Sequence, residues 1–243
     1  MSPASVLDIT DLEKAYGALR PLRMQSLHVS AGSLVAVTGL DAAAAEMFTN
    51  LATGAILPDR GEVRLFGQST AVVTQADDWL NLLDRVGIVT DRAVLLDSYT
   101  VAQNLAMPLS LAVDPLPREL ARAAAELASD VGLEPAALER PVASISALDR
   151  LRVRFGRALA LSPALLLMEH PTATLERHDS ATFAADVRRV VGSRGLAGVA
   201  ITADRSFAEA AASEVRELRA ADGVLVQRAG AWGRVLRLLD RRG

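Results

Sequence analysis

The 243-residue chain has no cysteine and only one lysine, Lys14. Without thiols, disulfides and thiolate metal sites are excluded, and a reducing compartment is the fitting environment. No apolar run reaches the roughly 18 residues of a membrane-spanning helix. Met1–Ser5 lacks the basic start and apolar core of a secretory leader, so a cytosolic chain is expected. There is no excess of positive charge either. A net charge of −3 gives no reason to expect a nucleic-acid partner, whose footprint is a basic surface. What the chain has in quantity is apolar side chains, 51% of residues, ample for one large core or one core with a helical insert.

Apolar patterning divides the chain into alternating strands and helices. Strands are expected at Val6–Leu12, Met24–Val29, Leu34–Thr38, Glu62–Phe66, Val86–Val89, Leu165–Met168 and Gly198–Thr202. Two more short ones fall near Val215–Leu218 and Val224–Val226. Helices are expected at Ala42–Thr53, Val101–Leu109, Arg118–Val131, Ser146–Leu161, Ser180–Val191 and Phe207–Ala212. Pro163 ends the fourth of these, and Pro58–Gly61 is strong turn chemistry. Alternation of this kind argues for a parallel sheet covered on both faces. Trp232–Arg242 mixes Trp, Val and Leu with arginines, and reads as an amphipathic helix docked on its own domain rather than on a membrane.

The segment Gly39–Glu46 follows an apolar strand and opens a helix, the place of a phosphate-cradling loop in a nucleotide-binding αβ unit. A working loop needs a second glycine, a lysine and a hydroxyl. Those places hold Ala44, Ala45 and Glu46. A unit charge about 4 Å from a phosphate is worth on the order of 4 kcal/mol at an effective dielectric of 20. Losing the lysine and gaining Glu46 act in the same direction, while micromolar affinity is only about 8 kcal/mol in total. Asp41 precedes four alanines and is a favoured N-cap, so its carboxylate is expected on the amide of Ala43 or Ala44. That places a negative charge where phosphate would sit.

Further segments frame this loop: Thr100–Leu109, Ala124–Leu127 with Val131–Leu133, Pro58–Gly67, Arg157–Pro163, and Pro171 with Thr172. In this order and spacing the chain resembles, over nearly its whole length, the ATP-binding subunit of ABC transporters. Its best likeness is to the lipoprotein-release, macrolide-export and cell-division subgroup. The resemblance implies an α/β fold: a P-loop-NTPase-like parallel sheet with helices on both faces, an antiparallel β subdomain and a helical subdomain at about residues 98–160 of a single domain, 1–243. It also implies ATP and magnesium, a second such subunit (identical or different) sandwiching two ATP molecules, and a membrane permease. The chain would then lie at the inner face of the cell membrane.

Position by position, Tyr16 matches the residue that stacks on adenine, and Gly39, Leu40, Asp41, Ala42, Ala43, Ala44, Ala45 and Glu46 occupy the phosphate loop. Asp91 stands for the glutamine that meets magnesium and water. The signature segment reads Ile145, Ser146, Ala147, Leu148, Asp149, keeping only the serine. Glu169 replaces the metal-supporting aspartate, His170 the catalytic glutamate and Ala203 the switch histidine, and Glu176 stands at the later aspartate position. No catalytic position is intact, no tightly bound cofactor or metal is expected, and the sequence reads as a pseudo-ATPase. Two alternatives remain: a weakly active ATPase using Glu169 and His170, and a free-standing regulatory module. For Glu169 and His170 themselves, exposure to solvent or capping of a neighbour is the favoured reading. Ser146 fits a helix N-cap as well as a ligand, Asp91 fits an ordinary loop residue, and Tyr16 fits simple surface packing. His28 and His178 read as structural. Leu148, where a glycine belongs, is expected to obstruct the ATP of a facing partner.

Overall fold

The computed structural model describes residues 5–73 and 75–227. Five strands lie parallel in a six-stranded sheet: β3 (Leu34–Thr38), β6 (Val86–Val89), β7 (Leu165–Glu169), β8 (Ala197–Ile201) and β9 (Glu214–Arg219). The antiparallel β10 (Val224–Gln227) extends it at one edge, giving the order β10-β9-β3-β8-β7-β6. All five residues of β7 and of β8 are buried, as continuous apolar runs in a sheet covered on both faces require. A second, antiparallel sheet has the order β2-β1-β4-β5, from β1 (Ser5–Lys14), β2 (Leu22–Ser30), β4 (Arg60–Leu65) and the two-residue β5 (Gln68–Ser69). The α/β architecture expected from the sequence is the one observed.

The sheet separates two cores. On one face, Leu7, Ile9, Met24 and Leu65 of the antiparallel sheet pack with Phe48 of α1 (Ala42–Ala52). On the other, α5 (Ala147–Leu159), α6 (Arg177–Arg194) and α7 (Arg205–Ala211) bring Phe155, Phe183 and Phe207 together. Phe183 meets Phe155 edge-on at 5.6 Å and stacks on Phe207 at 6.0 Å. Helices α3 (Val101–Ala106) and α4 (Arg118–Asp130) pack with α5 on this side, in the region of the expected helical subdomain.

Several boundaries differ from the sequence reading. Helix α3 stops at Ala106 with Met107 as its cap, not at Leu109, because Pro108 offers no amide and disfavours helix before it. Helix α6 is longer than Ser180–Val191 and ends where Gly195 takes a left-handed conformation. Helix α2 (Ala76–Leu83) was not expected at all; Asp77 and Asp78 favour its first turn, and the Trp79 indole donates to the Thr53 carbonyl at 3.0 Å. The expected C-terminal helix Trp232–Arg242 lies outside the described residues. Among the described residues no helix is long and apolar enough to cross a membrane.

The registers β6–β7 and β7–β8 align the carboxyl ends of these strands. Gly39, Thr90, His170 and Thr202 therefore follow the strands on one common edge. In open α/β sheets that edge is where ligands bind.

Candidate functional site at the carboxyl edge of the sheet

The chain turns out of β3 at Gly39, whose φ of +93° is open to glycine; a Cβ there would sit 2.6 Å from the Leu218 carbonyl oxygen. Leu40 is buried beneath the turn, and Asp41 N-caps α1, its carboxylate accepting from the Ala44 amide at 2.8 Å. This is the cap expected from the sequence. Ala42 and Ala43 are exposed in the first turn, whereas Ala44 and Ala45 are buried against the antiparallel sheet. Ala44 and Ala45 thus serve as packing surface, and one amide of the helix N-terminus is already occupied. We predict that Asp41→Ala lowers stability by about 1 kcal/mol, read from the urea midpoint at constant slope; an unchanged midpoint would contradict this cap.

Beside the turn, Tyr16, Arg20, Arg23, Leu40, Asp41 and Leu218 line an open cleft of about 380 Å³. The Tyr16 hydroxyl is held above its ordinary range by burial first and by the charge of Asp41 second. Tyr16 packs partly buried against the core, and the structure brings it together with Gly39, Leu40, Asp41 and Ala44 in one cleft. The single lysine is elsewhere, with Lys14 Nζ bound to Asp59 at 2.8 Å.

The largest departure from the sequence reading is Arg92. It follows Asp91 in the loop after β6, and its guanidinium is gripped by two carboxylates from distant parts of the chain. Arg92 Nη2 donates to Glu169 Oε1 and Oε2 at 2.8 and 2.6 Å, and Nη1 pairs with Glu46. Arg92 Nε also reaches Thr90 Oγ1 at 3.3 Å. Glu169 is therefore neither solvent-facing nor a cap. Its side chain is 7% exposed, and its charge is met by a guanidinium. A carboxylate buried at a strand end needs such a partner. Glu46, half exposed, is likewise not an isolated negative charge. The sum of charges at this spot is less negative than the sequence alone implied, although two carboxylates still share one cation. Sequence reasoning missed Arg92 because no local pattern links it to Glu46 or to Glu169, the latter 77 positions away.

The remaining positions are accounted for individually. His170 has a φ of +41°; its amide donates to the Ile201 carbonyl at 2.7 Å, and its Nε2 is buried with no hydrogen-bond partner. Asp91 is exposed, and its charge acts on Arg154 of α5. Ala203 and Glu176 are exposed, the latter at the start of α6 with no side-chain cap bond. Asp204 caps α7 and accepts from Thr172 and Ser180; burial alone would raise its pKa, but these hydroxyls and the Phe207 amide hold it below its ordinary value. His28 on β2 pairs with Asp8 on β1, and His178 is exposed in the first turn of α6. Among the described residues, no group of three or more acidic or histidine side chains is placed to hold a metal ion.

The signature-like segment starts α5. Ser146 is its N-cap, accepting from the Asp149 amide at 3.0 Å and donating to Asp149 Oδ2 at 2.9 Å. Ile145 and Leu148 are both 8% exposed and belong to the helical-side core, while Ala147 is exposed. The helix turns the Leu148 side chain inward, into the same core as Leu151 and Phe155.

Comparison with known proteins places this geometry. A family model described as ABC transporter matches residues 22–173. The lipoprotein-releasing system ATP-binding protein LolD of Alcanivorax borkumensis is 32% identical over 207 residues, 84% of this chain and 90% of that protein. The methionine import ATP-binding protein MetN of Mesorhizobium japonicum is 30% identical over 227 residues, 93% of this chain. The chain spans only 61% of that relative's length. In fold, CbiO1 of Clostridium perfringens superimposes with a TM-score of 0.80 at 16% identity, covering 98% of this chain and 94% of its own. A dimeric bacterial ABC transporter cassette gives 0.74 at 19% identity, covering 93% and 100%. On the family match and on the likeness to LolD, the chain belongs to the ABC transporter family, among its ATP-binding domains.

Proposed function

We propose that this chain is a structural or regulatory subunit of a membrane transport complex, a homologue of the ATP-binding subunits that neither binds ATP tightly nor hydrolyses it. The observation that carries this reading is the clasp of Arg92 between Glu46 and Glu169. A triphosphate with magnesium needs free amides at the helix start, a cation for its phosphates and open oxygen ligands for the metal. Here Asp41 occupies a helix amide, Lys14 is held by Asp59, and both carboxylates are already paired with a guanidinium. These residues do not fit the group. An incoming phosphate would meet the carboxylates of Asp41, Glu46 and Glu169, with Arg92 already shared between the last two, each charge on the order of 4 kcal/mol at about 4 Å.

The partners that fit this role are a membrane permease and a second ABC ATPase-like subunit, identical or not, at the inner face of the cell membrane. Toward that subunit, Ser146 brings a hydroxyl already bound to Asp149, so its contribution to a facing nucleotide is weak. The helical region at about 98–160 belongs with the sheet to a single domain. A weakly active ATPase would need Glu169 or His170 as its base, but the first is held by Arg92 and the Nε2 of the second is buried. A free-standing regulatory module would lack the permease, and co-purification with a membrane protein distinguishes it. The direct test is phosphate release from ATP and magnesium by the purified chain. Release at the level of a protein-free blank is expected, unchanged in His170→Ala; turnover abolished by that substitution would overturn the proposal.

A further inference from the structure

Residues 90–100 connect β6 of the sheet to α3, and they are fastened on both sides. Toward the sheet, Arg92 joins the segment to β7 through Glu169 and to α1 through Glu46. Toward the helices, α5 presents Arg150, Arg154 and Arg157 at the four- and three-residue spacing that places them on one face. Arg150 binds Asp97 at 2.8 Å, Arg154 Nε donates to the Ala93 carbonyl at 3.1 Å, and Arg157 Nη1 donates to the Val94 carbonyl at 2.7 Å. From α3, the fully buried Asn104 accepts from the Leu96 amide at 2.9 Å and donates to the Leu96 and Thr100 carbonyls at 3.0 Å each. Burial holds the Arg154 and Arg157 guanidinium groups below their ordinary pKa, so these contacts are partly withdrawn from water. Connections of this length in α/β proteins are ordinarily loose surface segments, and a lattice of charge-assisted bonds at both margins is not needed for chain continuity.

We infer that segment 90–97 is a lock: Arg92 on one side and the arginines of α5 on the other hold helices α3–α5 in one arrangement against the sheet without any nucleotide. This deepens the closed-site reading and rests on it for its meaning, because a subunit that takes no ATP needs its own cation to set that arrangement. Arg92 acts here as a positioning residue through Glu46 and Glu169, the guanidinium serving as an internal tie.

The test is amide hydrogen exchange by mass spectrometry on the full chain, without nucleotide, for the native protein, Arg92→Lys and Arg92→Gln. In Arg92→Gln, exchange across 90–100 and the first turns of α5 is expected to rise by about tenfold, with β3 and β8 unchanged. Arg92→Lys, able to reach one carboxylate at a time, falls between. Unchanged exchange across 90–100, or a uniform rise that includes β3 and β8, would overturn the lock. Should Arg92→Gln not fold, the native chain at about 0.05 and 1 M salt supplies the same reading, since the half-exposed Arg92–Glu46 pair is screened. Faster exchange confined to 90–100 at high salt supports the lock, and none overturns it. ATP binding by the native chain would sink the closed-site reading while leaving the exchange result to be judged on its own.

Discussion

Arg92→Met is expected to lower stability by about 2 kcal/mol, and most of that loss should return when Glu169→Leu is added. Breaking a buried ion pair from one side typically costs about 3–5 kcal/mol, because the remaining charge is stranded away from water. Glu169 is 7% exposed, but Arg92 is 43% exposed and shares its charge with Glu46, so solvent reduces the cost. Removing both members replaces a paired charge with apolar side chains of similar volume, a change that is often neutral. The double variant separates a clasp from generic packing. Chemical denaturation of the four proteins in the cycle gives the coupling directly. If the two single losses simply add in the double variant, Arg92 and Glu169 are not a coupled pair, and the description of the site fails at its centre.

Phe183→Ala should be the most damaging substitution away from the site, costing about 3–5 kcal/mol. Phe183 is fully buried on α6 and touches the rings of both Phe155 on α5 and Phe207 on α7. Its removal leaves a cavity at the junction of three helices that no single side-chain shift can fill. For a chain of this size the melting temperature should fall by about 6–20 °C, followed by circular dichroism. Phe183→Leu, which keeps most of the volume, should cost less than about 1.5 kcal/mol. A shift below about 2 °C in Phe183→Ala would show that this core is looser than the ring geometry implies.

The sheet and its main helices were legible because their signals are local. Leu34–Thr38 is a continuous apolar run ended by a glycine, and Asp41 before four alanines is a cap before strong helix formers; both elements fall where the sequence places them. Ser146 as a cap was visible for the same reason. Helix α2 was not, because it is short and buries only Leu82, and its indole anchors to a carbonyl 26 positions away. Likewise, nothing in Val101–Leu109 marks Met107 as the end except the following proline. The site was half legible. The missing lysine and glycines are plain in the sequence, but the cation that answers Glu46 and Glu169 sits in a loop without periodicity. Arg92 meets Glu169 across 77 positions, and only the alignment of β6 beside β7 brings them together. Glu169 was misread as solvent-facing because a strand's last residue has no periodic signal for burial. The inward direction of Leu148 was not legible, because it depends on the turn at which α5 begins.

Isothermal titration of the purified chain with ATP and magnesium tests the central claim most directly. No saturable heat is expected up to about 1 mM ATP, an affinity worth less than about 4 kcal/mol. A micromolar dissociation constant, about 8 kcal/mol, would show that the helix start and the Arg92 clasp open to admit phosphate, and that the site is not closed.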